Sequence, residues 1–250
     1  MSGLRLLALG VGDAFSALYY STCLALEAGG SWLLVDCPHP IRKILREAGL
    51  SAGAALDVAQ IDALVLTHLH ADHSSGIEGF AFFARFLQGR RLPLLAHPDV
   101  LARLWDGHLA GSMEAAIVEP GGAPVRRCLD DFFEVRPLSE ERPVEVGPFS
   151  VQCRHALHSI PTTALRVRAA GRCLGYSADT AFDPTLIDWL AGADLIVHET
   201  NPGLMHTPYE NLARLPAALR AKMRLIHYPD TFDLAASTIE PMRQGQSYDI

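Results

Sequence analysis

The sequence predicts an α/β (α+β) protein in which two mixed β-sheets pack face to face between outer helices, a four-layer αββα sandwich. Two observations favour this class. Short strand patterns fill both halves of the 250-residue chain, with helical patterns between them. Polar side chains suited to binding metal follow apolar strands in both halves. Because no repeat, low-complexity tract or linker divides the chain, residues 1–250 are expected to form one domain.

The first half alternates strands and helices. LRLLALG and SWLLVD are typical of buried strands, with STCLALEAGG forming a hairpin into the second, and IRKILREAGL has helical spacing and ends at a glycine. DALVLT is a further strand. Ser75 and Glu78 then match an S-x-x-E capping box, which predicts one helix through GFAFFARFL. LPLLA follows as a strand and DVLARLWDGHL as a helix.

The second half begins with a run of strands. From residue 125 to 177 the predicted strands are VRRCLDDFFEVRPL, FSVQCRHAL, TALRVRAAG and RCLGYSAD, and RAAGR forms a hairpin turn between the last two. Helix and strand then alternate through PTLIDWLAG, ADLIVHE, NLARLPAALRA and MRLIHY. These patterns supply a second mixed sheet with its own helices.

Composition narrows the choice of partners. The formal net charge of −7 gives no general electrostatic attraction for nucleic acid or an anionic membrane. No stretch approaches the roughly 20 apolar residues of a membrane span, and the N-terminal residues lack the features of a signal peptide. The five cysteines form no C-x-x-C pair, and an odd number of thiols fits a reducing compartment, so a cytoplasmic protein is expected.

The segment VLTHLHADHSSGIEG, residues 65–79, is the strongest functional signal. It places His68, His70, Asp72 and His73 in six positions directly after an apolar run. Two histidines two residues apart point the same way in extended backbone, and the other two groups lie beyond the bend. Imidazole and carboxylate ligands suit Zn²⁺, Fe or Mn²⁺. The spacing therefore predicts a metal site at a strand end.

Further ligands are expected at other strand ends. The candidates are His158 after VQCRHAL, Asp179 in GYSADT, and His227 after MRLI. His155 competes with His158 because it lies three residues earlier on the same strand-like segment. Asp179 could instead cap the helix that follows it.

This order of motifs resembles the metallo-β-lactamase-fold hydrolases, from LGVGDAF and WLLVDC to LIHYPD. In that family H-x-H-x-D-H is followed by a histidine, a bridging aspartate and a last histidine. The resemblance implies that His68, His70 and His158 hold one metal, that Asp72, His73 and His227 hold the other, and that Asp179 bridges them. It also implies that Asp36 orients the site from behind its ligands.

Within the superfamily the sequence is most similar to the branch of RNase Z and small cyclic phosphodiesterases. ADLIVHET and MHTPYENLARL resemble the segments of that branch that carry Glu199 and His206. The resemblance implies that Glu199 orients His206, which protonates or stabilises the leaving oxygen; an ordinary polar pair at a helix start is the alternative. RNase Z inserts a tRNA-binding arm between the third histidine and the bridging aspartate. Here only 21 positions separate His158 from Asp179.

The expected protein is a dinuclear metal-dependent hydrolase, a phosphodiesterase that attacks a small or cyclic phosphodiester with a metal-bridged hydroxide. Its two divalent ions are expected to be zinc, with manganese or iron as alternatives, and Asp72 would also take the water's proton. A lactone, thioester or amide hydrolase is the alternative within the fold. An iron redox enzyme or a metal-holding protein without turnover is the alternative outside hydrolysis. The expected partner is a small-molecule substrate; long nucleic acid is disfavoured, no membrane is involved, and a homodimer stays open.

Overall fold

Most strands and helices follow each other along the chain in the order that the sequence patterns predict. Two predicted elements are divided: VRRCLDDFFEVRPL forms the two strands Val125–Arg126 and Phe133–Pro137, and NLARLPAALRA forms two short helices on either side of Pro216. The computed structural model describes residues 3–116 and 121–250. Within these ranges the strands are β1 (Arg5–Gly10), β2 (Cys23–Ala28), β3 (Ser31–Val35), β4 (Ile61–Val65), β5 (Leu92–Ala96), β6 (Ala115–Ala116), β7 (Val125–Arg126), β8 (Phe133–Pro137), β9 (Val144–Val146), β10 (Phe149–His155), β11 (Thr163–Ala169), β12 (Arg172–Tyr176), β13 (Leu195–Glu199), β14 (Met223–Ile226) and β15 (Ser247–Asp249). The helices are α1 (Ile41–Ser51), α2 (Ala71–Ser74), α3 (Ile77–Phe82), α4 (Pro98–Leu104), α5 (Ala110–Met113), α6 (Pro184–Leu190), α7 (Tyr209–Ala213) and α8 (Ala217–Arg220). π-Helical turns, Phe83–Leu87 and Trp105–Leu109, extend α3 and α4.

The strands form two large mixed sheets. The first has the order β15-β1-β2-β3-β4-β5-β8, in which β3, β4, β5 and β8 are parallel. The second has the order β14-β13-β12-β11-β10-β9, in which β12, β13 and β14 are parallel. Two antiparallel steps separate β10 from β12, so these two strands also run in the same direction. The carboxyl ends of β10, β12, β13 and β14 therefore lie along one edge of the second sheet.

Successive side chains along a strand point to opposite faces of its sheet, so each sheet packs against the other sheet on one face and against helices on the other. Leu6 and Ala8 of β1 pack in the core between the two sheets, whereas Leu7 and Leu9 belong to an outer cluster with the apolar face of α1. On the far side, Ile196 packs in a third cluster with residues of α6. The predicted αββα sandwich is confirmed.

Helix α1 shows why this chain covers the first sheet where it does. Its buried residues recur at helical spacing and form one apolar stripe: Ile41, Ile44, Leu45, Ala48 and Gly49. The helix continues past Gly49 to Ser51, beyond the glycine predicted to end it. A Cβ at Gly49 would lie 2.7 Å from the carbonyl oxygen of Ala54, so glycine here permits a close approach of the returning chain.

The predicted capping box does not form. The Ser75 hydroxyl accepts a hydrogen bond from the backbone N–H of His39 at 3.0 Å, and Glu78 accepts one from the Ser112 hydroxyl at 2.7 Å. The helix is split instead, because α2 begins inside the histidine cluster and α3 starts at Ile77. Contacts with distant segments have replaced the local cap.

The RAAGR turn is a tight hairpin in which Ala170 and Gly171 both have positive φ, the conformation that a two-residue type I′ turn needs. None of the helices in the described ranges combines the length and the apolar character needed to cross a bilayer. The five cysteines are free thiols.

Candidate metal centre

The centre lies where strands of both sheets end. The chain leaves β3 at Asp36 and β4 at Thr67 and His68, on the first sheet. It leaves β12 before Asp179 and β14 at His227, on the second. Ligands that are far apart in sequence therefore meet at one edge of the sandwich, which is the edge predicted for the metal site.

Seven side chains converge there in two groups that share one member. The ligand atoms within each group all lie within 4.8 Å of one another. The first group is His68, His70, His158 and Asp179, and the second is Asp72, His73, Asp179 and His227. This division matches the one that the family resemblance implied.

The distances around Asp179 have the scale of a shared ligand. Its Oδ2 lies 3.7 Å from Nε2 of His68, 3.8 Å from Nε2 of His158 and 3.4 Å from Nε2 of His227. Its Oδ1 lies 3.3 Å from Nε2 of His73. Two ligands that are each about 2.1 Å from one tetrahedral ion are roughly 3.4 Å apart. The Asp179 carboxylate is thus spaced to face an ion in each group.

Buried atoms without partners test whether a metal fits. Among the described residues, His68 Nε2, His73 Nε2, Asp72 Oδ2 and Asp179 Oδ1 are buried without a hydrogen-bond partner. Leaving such a group unpaired costs about 1–3 kcal/mol, so native proteins rarely do it. All four atoms belong to the two ligand groups. The donor set is nitrogen and oxygen only, which suits a divalent ion such as Zn²⁺, Mn²⁺ or Fe²⁺.

Hydrogen bonds behind the ligands fix two imidazole rings. Asp36 accepts a hydrogen bond from Nδ1–H of His73 at 2.8 Å. It also accepts from the Thr67 hydroxyl at 2.9 Å. Because that hydroxyl donates to Asp36, it must accept the 3.0 Å hydrogen bond from His68 Nδ1–H. Both rings therefore carry a proton on Nδ1, and Nε2 is the nitrogen that each ring turns to the centre.

The histidines that follow strands of the second sheet, His227 and His158, are also held through Nδ1. The Thr22 hydroxyl donates to the carbonyl of Gly12 at 3.0 Å and accepts from His227 Nδ1–H at 3.1 Å. His158 donates through Nδ1–H to the carbonyl of Met205 at 3.0 Å. Four ligand histidines are thus held in the tautomer that metal binding requires.

The backbone is strained at three of these strand ends. Asp36, Ala178 and His227 have φ values of 62°, 51° and 59°, in the left-handed region that residues with a Cβ rarely adopt. Each such residue costs of order 1–3 kcal/mol, and such strain concentrates at functional sites. Here it turns the chain so that Asp36, Asp179 and His227 enter the centre.

Burial and charge set the protonation of the ligands. Burial lowers the pKa of His68 well below its ordinary value, which favours the neutral imidazole. Burial opposes ionisation of Asp72, but the close approach of His73, whose Nε2 lies 3.4 Å from Asp72 Oδ2, lowers its pKa to about 2. Burial would also lower the pKa of His73, yet the carboxylates of Asp179 and Asp36 raise it well above its ordinary value. A metal ion must therefore displace a proton that competes for His73.

His206 and Glu199 form a pair at the open side of the centre. Glu199 Oε1 lies 2.9 Å from Nδ1 of His206 and accepts a second hydrogen bond from the backbone of Thr180 at 2.7 Å. Burial raises the pKa of Glu199 to about 8. Burial would lower the pKa of His206, but the hydrogen bond and charge of Glu199 raise it. Both shifts favour keeping a proton on the pair at neutral pH.

The His206 ring lies over the boundary between the two ligand groups. Its centroid is 5.2 Å from the ring of His158, in the first group, and 5.3 Å from the ring of His227, in the second, on which it stacks at 20°. Because Nδ1 is bound to Glu199, Nε2 is the nitrogen left free. About a fifth of its side chain is exposed, so solvent reaches it.

The competing histidine lies elsewhere. His155 ends β10 and contacts Asp99 and Glu140, whereas His158, three residues further along the loop, lies in the first ligand group.

The sequence did not predict the roles of Thr67 and Thr22, whose hydroxyls anchor His68 and His227. Thr67 had a local signal, a polar residue directly before a histidine at a strand end. Thr22 had none, because 205 positions separate it from His227.

A cleft adjoins the centre at His70. It has a volume of about 350 Å³, within the usual range of small-molecule sites. Its apolar lining includes Leu69, Val100 and Ile160. Arg103 also lines this cleft, together with His70 of the first ligand group.

The fold and the ligand set define a metal-dependent hydrolase of the metallo-β-lactamase fold, as the sequence resemblance implied. Among solved structures, the metallo-β-lactamase fold protein YhfI from Bacillus subtilis has a TM-score of 0.75 and 18% identity, covering 99% of this chain and 100% of that one. A diphosphatase from the PhnP family has a TM-score of 0.74 and 16% identity, covering 99% and 98%. Human tRNase Z, short form, has a TM-score of 0.70 and 17% identity, covering 98% and 99%.

The particular family follows from sequence. The family model of the anti-Pycsar protein Apyc1 matches residues 4–248, and the chain belongs to that family. The anti-Pycsar protein Apyc1 of Paenibacillus sp. (strain J14) is 32% identical over an alignment of 257 positions that covers 98% of this chain and 98% of the relative. That of Saccharibacillus brassicae is 30% identical, covering 97% of this chain and 98% of the relative. The expected metal-dependent, phosphodiesterase-type hydrolase is confirmed.

Proposed function

We propose that the protein opens small cyclic phosphodiesters, such as cyclic mononucleotides, with His206 as the proton donor to the leaving oxygen. Phosphodiesterase chemistry is the activity class of its family. The observation that carries the proposal is the position of His206, whose ring spans a ligand of each group while Glu199 holds its Nδ1. A group there faces an oxygen of a phosphodiester bound across the centre.

The ligand assignments follow the two geometric groups. His68, His70 and His158 would hold one ion, Asp72, His73 and His227 the other, and Asp179 would bridge them. We propose zinc, with manganese or iron as alternatives, because the ligands are imidazoles and carboxylates. Two bound ions supply a water of lowered pKa and neutralise charge that develops on the phosphoryl oxygens.

Asp72 has a narrower role than its position alone would suggest. Its pKa of about 2 keeps it ionised at neutral pH. The carboxylate can therefore accept a hydrogen bond from the attacking water and orient it, but it is a weak base for keeping the proton. We assign it to metal binding and to orientation of the water.

The leaving group needs a different residue. When a ring phosphodiester opens, the departing alkoxide is strongly basic and must be protonated. His206 can donate its Nε2 proton to that oxygen, because Glu199 raises its pKa and stabilises the imidazolium. Glu199 does not touch substrate in this scheme; it positions His206.

A small substrate fits the surroundings of the centre. The cleft of about 350 Å³ beside His70 offers apolar contacts for an organic group such as a nucleoside and one arginine, Arg103, for its polar edge. The tight hairpin at Ala170 and Gly171 lies in the interval between His158 and Asp179, where RNase Z inserts its arm. Long RNA would demand many lysine and arginine contacts, which an acidic chain supplies poorly.

The test varies the leaving group. In His206→Ala, hydrolysis of a cyclic mononucleotide should slow by roughly 10²-fold, the usual scale for losing a general acid. Hydrolysis of bis-p-nitrophenyl phosphate should change much less, because p-nitrophenolate leaves without a proton. Metal content by elemental analysis should stay at the wild-type level. His39→Ala, an exposed histidine outside the centre, is the matched control and should leave both rates unchanged.

Two results would overturn the proposal. Equal slowing of both substrates would mean that His206 acts on something other than leaving-group protonation. A lactone turned over far faster than any phosphodiester by the wild-type protein would refute the substrate class, while the metal assignments would stand.

A further inference from the structure

A second cluster of histidines and carboxylates lies outside the dinuclear centre. His97 follows β5 and Asp99 is the second residue of α4, both in the first half of the chain. His155 is the last residue of β10, and Glu140 lies in the loop between β8 and β9. None of these four has a role in the chemistry described above.

Their ligand atoms have metal-like spacing. Asp99 Oδ2 lies 3.5 Å from both His97 Nδ1 and His155 Nε2. Glu140 Oε1 lies 3.6 Å from His155 Nε2. These separations are long for hydrogen bonds but close to the roughly 3.4 Å between two ligands of one tetrahedral zinc. Ligand atoms of His97, Asp99 and His155 all lie within 4.8 Å of one another.

The carboxylates of Asp99 and Glu140 face the two imidazoles rather than other charged side chains. The second oxygen of Glu140 accepts a long hydrogen bond, 3.4 Å, from the backbone N–H of His155, which keeps Oε1 on the side of the imidazole. Within the described residues, the ion-pair partners of Asp99 and Glu140 are these histidines alone. Two carboxylates thus meet two imidazoles, with no arginine or lysine paired to them in that part of the chain.

One contact competes with a metal. His97 Nδ1 also accepts a 3.3 Å hydrogen bond from the backbone N–H of Asp99, at the start of α4. An ion would have to replace this long bond. A single long hydrogen bond between neutral groups contributes less than a metal–imidazole interaction supplies.

We propose that His97, Asp99 and His155 form a third divalent-cation site, with the Glu140 carboxylate beside His155 adding negative charge. Two imidazoles with one or two carboxylates favour Zn²⁺ among common ions. The site is open, since Asp99 and His155 expose 57% and 43% of their side chains. It should therefore bind more weakly and exchange faster than the buried dinuclear centre.

An ion here would join the two halves of the sandwich. His97 and Asp99 belong to the corner between β5 and α4 on the first sheet, and His155 to the second sheet. Asp99 also lines the cleft beside His70, so the ion would place positive charge at the edge of that cleft.

The test is zinc stoichiometry of the full-length protein. Equilibrium dialysis against Zn²⁺ with elemental analysis should give three ions per chain for wild type, the third at higher free zinc. His155→Ala and His97→Gln should each give two. His39→Ala is the matched control and should retain three. Asp179→Asn should reduce binding at the dinuclear centre while the weak ion remains.

A thermal readout accompanies the stoichiometry. Zinc added beyond the first two ions should raise the Tm of wild type but not of His155→Ala, because the added ion links two sheets. The proposal is wrong if wild type saturates at two ions, or if His155→Ala and His97→Gln both still bind three. Using two variants keeps the test decisive if one of them fails to fold.

Discussion

Replacing Thr67 by valine should weaken metal binding without touching a ligand. The hydroxyl of Thr67 makes two hydrogen bonds inside the protein: it donates to Asp36 at 2.9 Å and accepts from His68 Nδ1–H at 3.0 Å. Valine keeps the shape and the backbone hydrogen bond from Thr67 to Asp36 but removes both of these links. His68 then has no group that fixes its proton on Nδ1.

The size of the effect follows from those contacts. The substitution leaves one buried donor, His68 Nδ1–H, without a partner, and leaves Asp36 with two donors, His73 and the backbone of residue 67. An unsatisfied buried group costs about 1–3 kcal/mol, which lowers Tm by roughly 2–12 °C in a chain of this size. Losing a group that orients a ligand typically weakens metal affinity by about 10–100-fold.

The assay measures both quantities on Thr67→Val. Thermal unfolding of the metal-free protein gives the stability change, and competition with a zinc-binding dye gives the affinity. Thr67→Ser keeps a hydroxyl and should retain most of the wild-type affinity. Thr163 supplies a matched control, because its buried hydroxyl has no hydrogen-bond partner among the described residues.

Thr163→Val should therefore leave stability unchanged or raise it, since it removes a buried hydroxyl that gains nothing from its position. Metal affinity should not change. Wild-type zinc affinity in Thr67→Val, or an equal loss of stability in Thr163→Val, would refute the reasoning.

Three further predictions concern charge. Asp179→Asn should leave less than one ion per chain at the dinuclear centre, because its carboxylate faces histidines of both groups, whereas Asp72→Asn should lose only the second ion; elemental analysis at low free zinc, where the weaker third site is empty, separates the two. In the metal-free protein, the free energy of unfolding should fall as pH rises from about 7 to 8. The folded pKa of His73 is raised above 6.5, so the folded state holds a proton that the unfolded chain has released. A flat or rising profile, measured by denaturant titration, would contradict this. Arg103→Ala should raise KM for a cyclic mononucleotide about tenfold with little change in kcat. An unchanged KM would show that the substrate does not contact this side of the cleft.

The local parts of the centre could be predicted from sequence because strand ends leave a local pattern. An apolar run followed by H-x-H-x-D-H puts candidate ligands at the end of β4, and the same reasoning singled out His158, Asp179 and His227, which the structure brings close to them. The choice between His155 and His158 could not be made that way. His155 shares the inward face of β10 with Val151 and Cys153. It therefore points across to the first sheet, and only the turn after β10 brings His158 to the centre.

Contacts between distant segments account for the remaining differences. The capping box failed because Ser75 receives the backbone N–H of His39, a pairing that spans 36 positions. Thr22 escaped notice because its partner His227 belongs to the other sheet. In each case the local sequence allows two hydrogen-bonding choices, and the packing of the sheets decides between them.

Loss of metal should destabilise the fold strongly at the dinuclear centre and weakly at the proposed third site, because the ligands of the centre are more deeply buried. At the dinuclear centre, atoms of His68, His73, Asp72 and Asp179 are buried without partners, and three nearby residues have strained backbone. Without ions the folded state bears the cost of those unpaired atoms, so a metal that binds there also stabilises the fold. At the proposed third site, water can solvate Asp99 and His155 whenever the ion leaves. Stepwise chelation should therefore release the ion of the third site with a small fall in Tm and the two ions of the dinuclear centre with a large one. A single large fall on loss of the first ion would mean that the third site, rather than the dinuclear centre, holds the two sheets together.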